Sequence, residues 1–302
     1  MKRTDTRRGM VLVTVLWSIA LLSALAMAAS VTFRGYAGVM ALERDRLQAE
    51  ALLTAGLETA AGVIDTSRDS PLAGFETTVS LGTGAVRVHL DYEGGRIDIG
   101  KAPAELLASM LRSIGASEAT AGNIAKRIVE RRNPVQPSDS GNPTGPADVA
   151  PRVSGSEQPF ADIAQLLTIT GMTPEWVAAA APLTTVFGDQ TVDPLTAPPG
   201  VIAALPGIDG QQAAAFVNAR RSSPRDVDRL VRMLASAQKY LAVKPQRVAS
   251  VDLTAAMESG YGTTAHAVIV MLPQDSQPYR VLVWTHVPYA KASIDLPPMA
   301  QR

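Results

Sequence analysis

The pattern of hydrophobic and polar positions predicts a single long helix at the start of the chain. No charged residue occurs between positions 10 and 33, where Val, Leu, Ile, Ala and Met dominate. The helical pattern continues beyond this run with apolar residues at spacings of three and four, which share one helix face. The residues of this face are Ala49, Leu53, Leu57, Ala60 and Ile64. We therefore predict one helix over about residues 10–64, apolar first and amphipathic afterwards.

A period of two predicts strands in the following part of the chain. In Ala85–Tyr92, apolar and polar side chains alternate, which is the mark of a half-buried strand. Further strands are predicted at Glu76–Leu81, Gly95–Ile99, Ala265–Leu272 and Tyr279–Val287. The glycine-rich connections between the first three suit hairpins.

A helical pattern interrupts these strands. Two helices are predicted between residues 101 and 132, with Pro103 in a first turn and Gly115 at a helix end. Residues 133–159 are crowded with Pro, Gly, Ser and Asp and are predicted as a long loop. More helices are predicted over 161–181.

Three segments of this helical part share an apolar residue, a glycine and a helix start, which is the outline of a helix–hairpin–helix unit. They centre on Gly115, Gly171 and Gly207. Such hairpins grip DNA phosphates in some proteins, using backbone N–H groups and nearby basic side chains. The candidates here are Lys126, Arg127, Arg131 and Arg132 after the first hairpin, and Arg220, Arg221 and Arg225 after the third. The alternative interpretation is compact helical packing with solvated arginines.

Composition favours that alternative. The chain has 302 residues, of which 46% are hydrophobic and 19% charged, with a formal net charge of zero. A neutral chain has no overall field that attracts nucleic acid, so we expect no nucleic-acid partner. There is no cysteine, which removes disulfides and thiolate chemistry.

The apolar run is long enough to cross a membrane. Its 24 residues rise about 36 Å as a helix, more than a hydrocarbon core of about 30 Å. Lys2, Arg3, Arg7 and Arg8 precede it, so the N-terminus is expected in the cytoplasm and the bulk in the periplasm. The alternative is a cleaved secretory signal peptide, with small residues near Ala24, Ala26 and Ala28. The length of the run and the continuing helix favour a retained segment.

The stretch Arg8-Gly9-Met10-Val11-Leu12 resembles the N-terminus of the type IV prepilin class, a basic leader ending in Gly before an apolar helix. The resemblance implies that a prepilin peptidase cuts between Gly9 and Met10 and methylates Met10. It also implies a transmembrane segment at 10–33, anchored in the inner membrane as a single pass. Most members carry Glu at the fifth mature position, where this chain has Thr14. That absence is typical of the K-type minor pseudopilin of type II secretion systems, although Thr14 could also be only a tolerated membrane residue.

Three later segments resemble elements of the K subunit, in the same order. Arg96–Pro103 looks like the element that leads into its helical domain, and Phe160–Met172 looks like the middle element of that domain. Thr191–Gly207 looks like the element that leads out of it. Family members often have Asn where Gly100 and Pro194 stand here.

The resemblance and the patterns together predict an α+β fold. A long transmembrane and amphipathic helix would pack on a small antiparallel sheet, with an inserted, mostly helical, helix–hairpin–helix-like domain. The predicted divisions are a leader at 1–9, the helix at 10–64, sheet at 65–100, the inserted domain at 101–235, and sheet plus tail at 236–302.

The resemblance implies assembly rather than catalysis. The implied partners are I- and J-type minor pseudopilins, the major pseudopilin and the prepilin peptidase, and the implied place is the tip of the secretion pseudopilus. Three alternatives stay open: a minor pilin of a type IV pilus or competence system, a membrane-tethered DNA-binding protein, and an exported soluble protein.

The sequence offers little chemistry. His89, His266 and His286 lie in separate strand-like segments without metal-ligand spacing, and no phosphate loop or nucleophile elbow occurs. No enzyme activity and no cofactor is expected, with calcium as an open possibility. Some K-type subunits bind calcium through acidic loop residues, and oxygen ligands suit that ion. The candidates are Asp139, Asp148, Glu157 and Asp162, which are widely spaced and equally consistent with a solvated loop.

Overall fold

The structure, a computed structural model, describes residues 6–67, 74–82, 84–132 and 160–288. The chain begins with helix α1 (Thr6–Thr66). Strands β1 (Phe75–Leu81) and β2 (Gly84–Tyr92) follow and pair antiparallel. A 3-10 turn at Glu93–Gly95 then leads into the short strand β3 (Ile97–Asp98).

A helical block follows β3. In chain order its elements are α2 (Ala104–Ser113), α3 (Glu118–Arg132), a 3-10 helix (Ile163–Thr168), α4 (Pro174–Ala180), a 3-10 turn (Ala181–Leu183), β4 (Thr184–Thr185), α5 (Pro199–Ala203), α6 (Gly210–Ser222), α7 (Val227–Met233) and a 3-10 helix (Ala235–Tyr240). Strands β5 (Val248–Met257), β6 (Gly262–Met271) and β7 (Tyr279–Val287) then complete a five-stranded antiparallel sheet in the order β1-β2-β5-β6-β7.

The second half of α1 covers one face of this sheet. The apolar helix face predicted from the sequence is buried there, from Ala49 to Ile64. Helix and sheet are in close contact at Gly56, where an added Cβ would lie 2.9 Å from Leu253 Cδ2. Side chains of alternating residues in β2, β5 and β6 form the other half of this core. The predicted α+β class is therefore confirmed.

The helical block has a hydrophobic core of its own. Phe160 and Phe216 are among its largest fully buried side chains, together with Leu106, Leu107 and Met110. The polypeptide thus builds two separate clusters, one under α1 and one inside the helical block.

The three segments with the repeated pattern share a backbone feature. Gly115, Gly171 and Gly207 have φ angles of 102°, 95° and 76°, which L-residues with a side chain rarely adopt. Each glycine separates two short helices: α2 from α3, the 3-10 helix at Ile163–Thr168 from α4, and α5 from α6. The predicted internal repeat is therefore present as three helical hairpins.

The prediction of a strand at Gly95–Ile99 is confirmed only for Ile97–Asp98, and its assignment to the main sheet is wrong. Gly95 ends a 3-10 turn, and Ile97–Asp98 pairs in parallel with Thr184–Thr185 of the helical block instead of joining the main sheet. A strand of two residues is too short for the sequence pattern to identify its partner strand.

The sequence interpretation also missed the central strand β5. Val248–Met257 pairs with both β2 and β6 and buries five alternating apolar residues against α1. Three of the ten residues of β5 are alanines, which have weak strand propensity, so tertiary pairing decided this element.

The helical block is attached to the sheet through a close contact at Gly94 and Gly95. The Gly94 carbonyl accepts a hydrogen bond from the Asp193 N–H at 2.8 Å. A Cβ on Gly95 would lie 2.6 Å from the carbonyl carbon of Thr196. Only glycine fits there, because the nearest atoms belong to backbone.

Candidate functional site

The first half of α1 exposes its apolar side chains on all sides. Where the structure describes them, the large hydrophobic residues from Met10 to Met27 are between 52% and 73% exposed. Trp17 and Leu21, one turn apart, and Ile19 and Leu22 on other sides of the helix are all uncovered. An exposed apolar surface of this extent is typical of a region that other molecules cover.

The predicted processing residues lie within this helix. Gly9, Met10 and Thr14 all belong to α1, which begins at Thr6. The Thr14 hydroxyl donates to the Met10 carbonyl at 2.7 Å, and the Ser18 hydroxyl donates to the Thr14 carbonyl at 2.8 Å. Such bonds to the i−4 carbonyl satisfy a hydroxyl without a partner from another chain. Cleavage after Gly9 stays a prediction.

Over the described residues, no helix combines the length and mean hydropathy of a membrane span. The transmembrane assignment of residues 10–33 is therefore not confirmed and stays a prediction.

Several of the arginines considered for DNA binding donate to backbone carbonyls within the helical block. The Arg127 guanidinium donates to the Thr170 carbonyl, which joins the first hairpin to the second. Arg132 donates to Ala102 O at 2.6 Å, and Arg131 lies 5.0 Å from the centroid of the Phe160 ring. These side chains hold the hairpins together, which favours compact packing over phosphate binding.

The third hairpin uses Arg220 in the same way. Its Nη1 donates to the carbonyls of Pro194 and Ala197, both at 2.7 Å. Its guanidinium lies 5.7 Å from the centroid of Phe216. Arg221 and Arg225 are exposed.

Two buried aspartates mark equivalent turns at the start of the first and third hairpins. Asp98 Oδ1 accepts from Gly100 N at 2.7 Å, and Asp193 Oδ1 accepts from Leu195 N at 2.9 Å. Both are about 2% exposed or less. Burial raises the pKa of each carboxyl above its ordinary value, although the backbone hydrogen bonds oppose that shift.

The resemblance had placed these aspartates in its entry and exit elements, but the sequence did not reveal that they build the same turn. Four residues after each aspartate stands an alanine whose carbonyl accepts from an arginine of the following hairpin. The pairs are Ala102 with Arg132 and Ala197 with Arg220. The signal was available as Asp-x-x-x-Ala-Pro, which occurs at both places.

Of the four calcium candidates, only Asp162 lies within the described residues. Asp139, Asp148 and Glu157 lie outside the described residues. Asp162 caps the 3-10 helix at Ile163–Thr168, accepting from Ala164 N at 2.7 Å. Within the described ranges, no group of three or more His, Cys, Asp or Glu side chains is arranged to hold a metal.

Two of the three histidines, which the sequence left in separate strands, lie on one face of the sheet. His89 of β2 pairs in register with Asp252 of β5, and Asp252 pairs with His266 of β6. His266 Nδ1 and Asp252 Oδ1 are 2.7 Å apart. The missed strand β5 supplies the carboxylate, so this row could not be found without it.

The third histidine is separate from that row. His286 lies in β7 beside Trp284, with ring centroids 6.1 Å apart in an edge-to-face arrangement.

Comparison with known proteins identifies the fold. No family model and no curated protein matches the sequence. The chain is similar to a chain in the crystal structure of the GspK–GspI–GspJ complex from the type 2 secretion system of enterotoxigenic Escherichia coli. The TM-score is 0.57 at 16% sequence identity, over 82% of this chain and 98% of that chain.

This match agrees with the resemblance to a K-type minor pseudopilin. At 16% identity it shows that the fold is shared. Because 82% of this chain is covered, the likeness extends beyond helix α1 and the main sheet.

Proposed function

We propose that the chain is a K-type minor pseudopilin of a type II secretion system, a structural subunit that assembles with other pseudopilins. The observation that carries this proposal is the shared fold over 98% of a chain from the GspK–GspI–GspJ complex. That complex contains GspI and GspJ beside GspK. I- and J-type minor pseudopilins are accordingly the partners we propose here, with the major pseudopilin joining them in the filament.

The proposed means of assembly is the first half of α1. Its exposed apolar side chains would lie in the inner membrane before assembly and against partner helices afterwards. In this proposal the prepilin peptidase cuts after Gly9 on the cytoplasmic side and leaves the apolar helix intact.

The proposed position is the tip of the pseudopilus. A carboxylate buried in an apolar helix bundle needs a partner, and Thr14 satisfies its hydroxyl on its own helix instead. The helical block between β3 and β5 adds bulk to the sheet, which hinders stacking of another subunit above it. Both observations support a subunit with no neighbour above.

Cysteine cross-linking tests the assembly. The chain has no cysteine, so Leu16→Cys creates a single reactive thiol on the exposed half of α1. When the full-length chain is co-expressed with I- and J-type subunits carrying a cysteine in their own first helices, we expect disulfide-linked heterodimers. The matched control Ala178→Cys, exposed on α4 of the helical block, should give none. Cross-links from the control alone, or from neither, would contradict the proposal.

Intact-mass spectrometry tests the processing step of the same proposal. Full-length protein from cells that contain a prepilin peptidase should begin at Met10 and carry one methyl group. A mature start near Ala29 or Ser30 would show that the apolar helix is discarded, and the assembly proposal would fail with it.

A further inference from the structure

A cleft lies between the sheet and the helical block, outside the surfaces used in the proposed assembly. Its volume is about 540 Å³. Asp91, near the end of β2, forms one wall, and the loop Leu195–Pro199 together with the end of α6 forms the other. Among its lining residues, Ala197 belongs to the core of the helical block and Leu195 packs against that core.

Two adjacent arginines give this cleft a positive wall. Arg220 and Arg221 both line it. Carbonyl oxygens hold Arg220 in place, and within the described part of the chain neither guanidinium forms an ion pair with a carboxylate. Burial and the charge of Arg221 lower the pKa of Arg220, the charge of Asp193 opposes that shift, and the guanidinium stays protonated. An anion placed between two such groups is favoured by charge complementarity.

The opposite wall carries one acid, which is partly neutralised. The Asp91 carboxylate pairs with Arg96 Nη2 at 3.3 Å, while Arg96 Nη1 also pairs with Glu93 at 3.1 Å. An entering carboxylate therefore meets one partly neutralised acid on one side and two arginines on the other.

The remaining lining suits a peptide. Pro198, Pro199 and Pro224 present apolar ring surfaces without backbone N–H groups. Thr196 also lines the cleft, although its hydroxyl oxygen is buried.

We propose that this cleft binds an acidic peptide segment of a partner protein, with a carboxylate on the exposed Arg221 and an apolar side chain against the three prolines. Arg220, whose Nη1 is bonded to backbone carbonyls, adds positive charge beside that carboxylate. The volume accommodates a few residues of an extended chain. A DNA backbone fits less well, because its series of phosphates would approach the exposed Asp226 and Asp228 that follow Pro224. The inference does not depend on the proposed secretion role.

Fluorescence anisotropy on the full-length protein in detergent tests the site. The probe is a fluorescein-labelled hexapeptide of alternating leucine and glutamate, compared with the same peptide carrying lysine in place of glutamate. We expect binding of the acidic peptide only, weakened by added salt. Arg221→Glu should reduce the affinity at least about tenfold, since it replaces an attractive charge by a repulsive one.

Arg229→Glu is the matched control, because Arg229 is exposed on α7 and outside the cleft while its charge change is identical. It should leave the affinity within about twofold. Three results would overturn the proposal: no binding of the acidic peptide, an equal loss in both variants, or tighter binding of a DNA duplex that Arg221→Glu abolishes. Circular dichroism of both variants confirms that a lost affinity is not lost folding.

Discussion

At the scale of single residues, the outer face of the sheet carries a row of ionisable side chains, His89, Asp252 and His266, which interact electrostatically. The Asp252 carboxylate raises the pKa of the His266 imidazole above its ordinary value of 6.5, first through their hydrogen bond. Burial opposes ionisation of Asp252, but the contact with His266 together with the charges of His89 and Arg96 outweighs it and lowers the pKa of Asp252 below 3.8. Glu93 adds to the positive shift of His266, while Arg96 opposes it.

This pair predicts a pH dependence of stability. Because the folded pKa of His266 is raised, its stabilisation is fully present below about pH 6.5 and is lost as the pH rises through the folded value. For Asp252 the folded pKa is lowered, so its stabilisation is present above pH 3.8 and is lost as the pH falls through the lowered value. The side chains are 34% and 53% exposed, so the pair contributes about 1 kcal/mol or less.

An NMR titration of the full-length protein checks this prediction directly. The His266 ring should titrate above 6.5, and Asp252→Asn should bring its pKa down because the charge partner is removed. His286, which lies apart from the row, serves as the internal reference. A His266 titration that is the same in both proteins would exclude the coupling.

At the scale of elements, close packing of backbone decides how the helical block joins the sheet. The 3-10 turn at Glu93–Gly95 passes so near the Thr196–Ala197 peptide that no side chain fits at Gly95. No such steric restriction applies to a glycine on the exposed side of a helix. Gly122 in α3 has open space where a Cβ would stand.

Two alanine substitutions should therefore have opposite effects. Gly95→Ala should destabilise the protein by about 1–3 kcal/mol, because its Cβ would overlap backbone atoms that cannot turn aside. Gly122→Ala should stabilise it by about 0.5–1 kcal/mol, since alanine favours the helix. Urea unfolding of the full-length proteins in detergent measures both. Equal effects of the two changes would argue against a tight contact at Gly95.

At the scale of the whole molecule, two hydrophobic clusters share one chain. One contains α1 and the main sheet, and the other contains the three hairpins. They are connected by the turn at Gly94–Gly95 and by contacts of the returning chain, such as Gln246 Nε2 with Asp193 Oδ2 at 2.6 Å. Few contacts cross between them, so each should lose its packing separately.

Core truncations should reveal this separation. Phe216→Ala removes a fully buried ring from the helical block, and Leu253→Ala removes a fully buried side chain from the sheet. The first substitution should lower the free energy of unfolding by about 3–5 kcal/mol, and the second by about 2–5 kcal/mol. Hydrogen exchange followed by mass spectrometry should then show faster exchange in α2, α3 and α6 for the first variant, and in β2, β5 and β6 for the second. Acceleration over the whole described chain in both variants would instead indicate one cooperative unit.

The sequence by itself determined the elements whose patterns are long and regular. The helix face from Ala49 to Ile64, the alternation in β2 and the three hairpin glycines were all readable, because a local period or a positive φ dictates them. The glycine positions also revealed the repeat. The exposed apolar half of α1 was equally plain from the run of uncharged residues.

Only the tertiary structure decided which elements meet. Strand β5 is rich in alanine and becomes a strand because β2 and β6 flank it, and with it came the row of His89, Asp252 and His266. The segment Gly95–Ile99 left the sheet because its partner, Thr184–Thr185, lies nearly ninety residues away. The cleft beside Arg220 also depends on segments far apart in the sequence, since Asp91 lines one wall and the loop Leu195–Pro199 the other. Long-range pairing has no local period, so the sequence carries it only through the packing of the whole molecule.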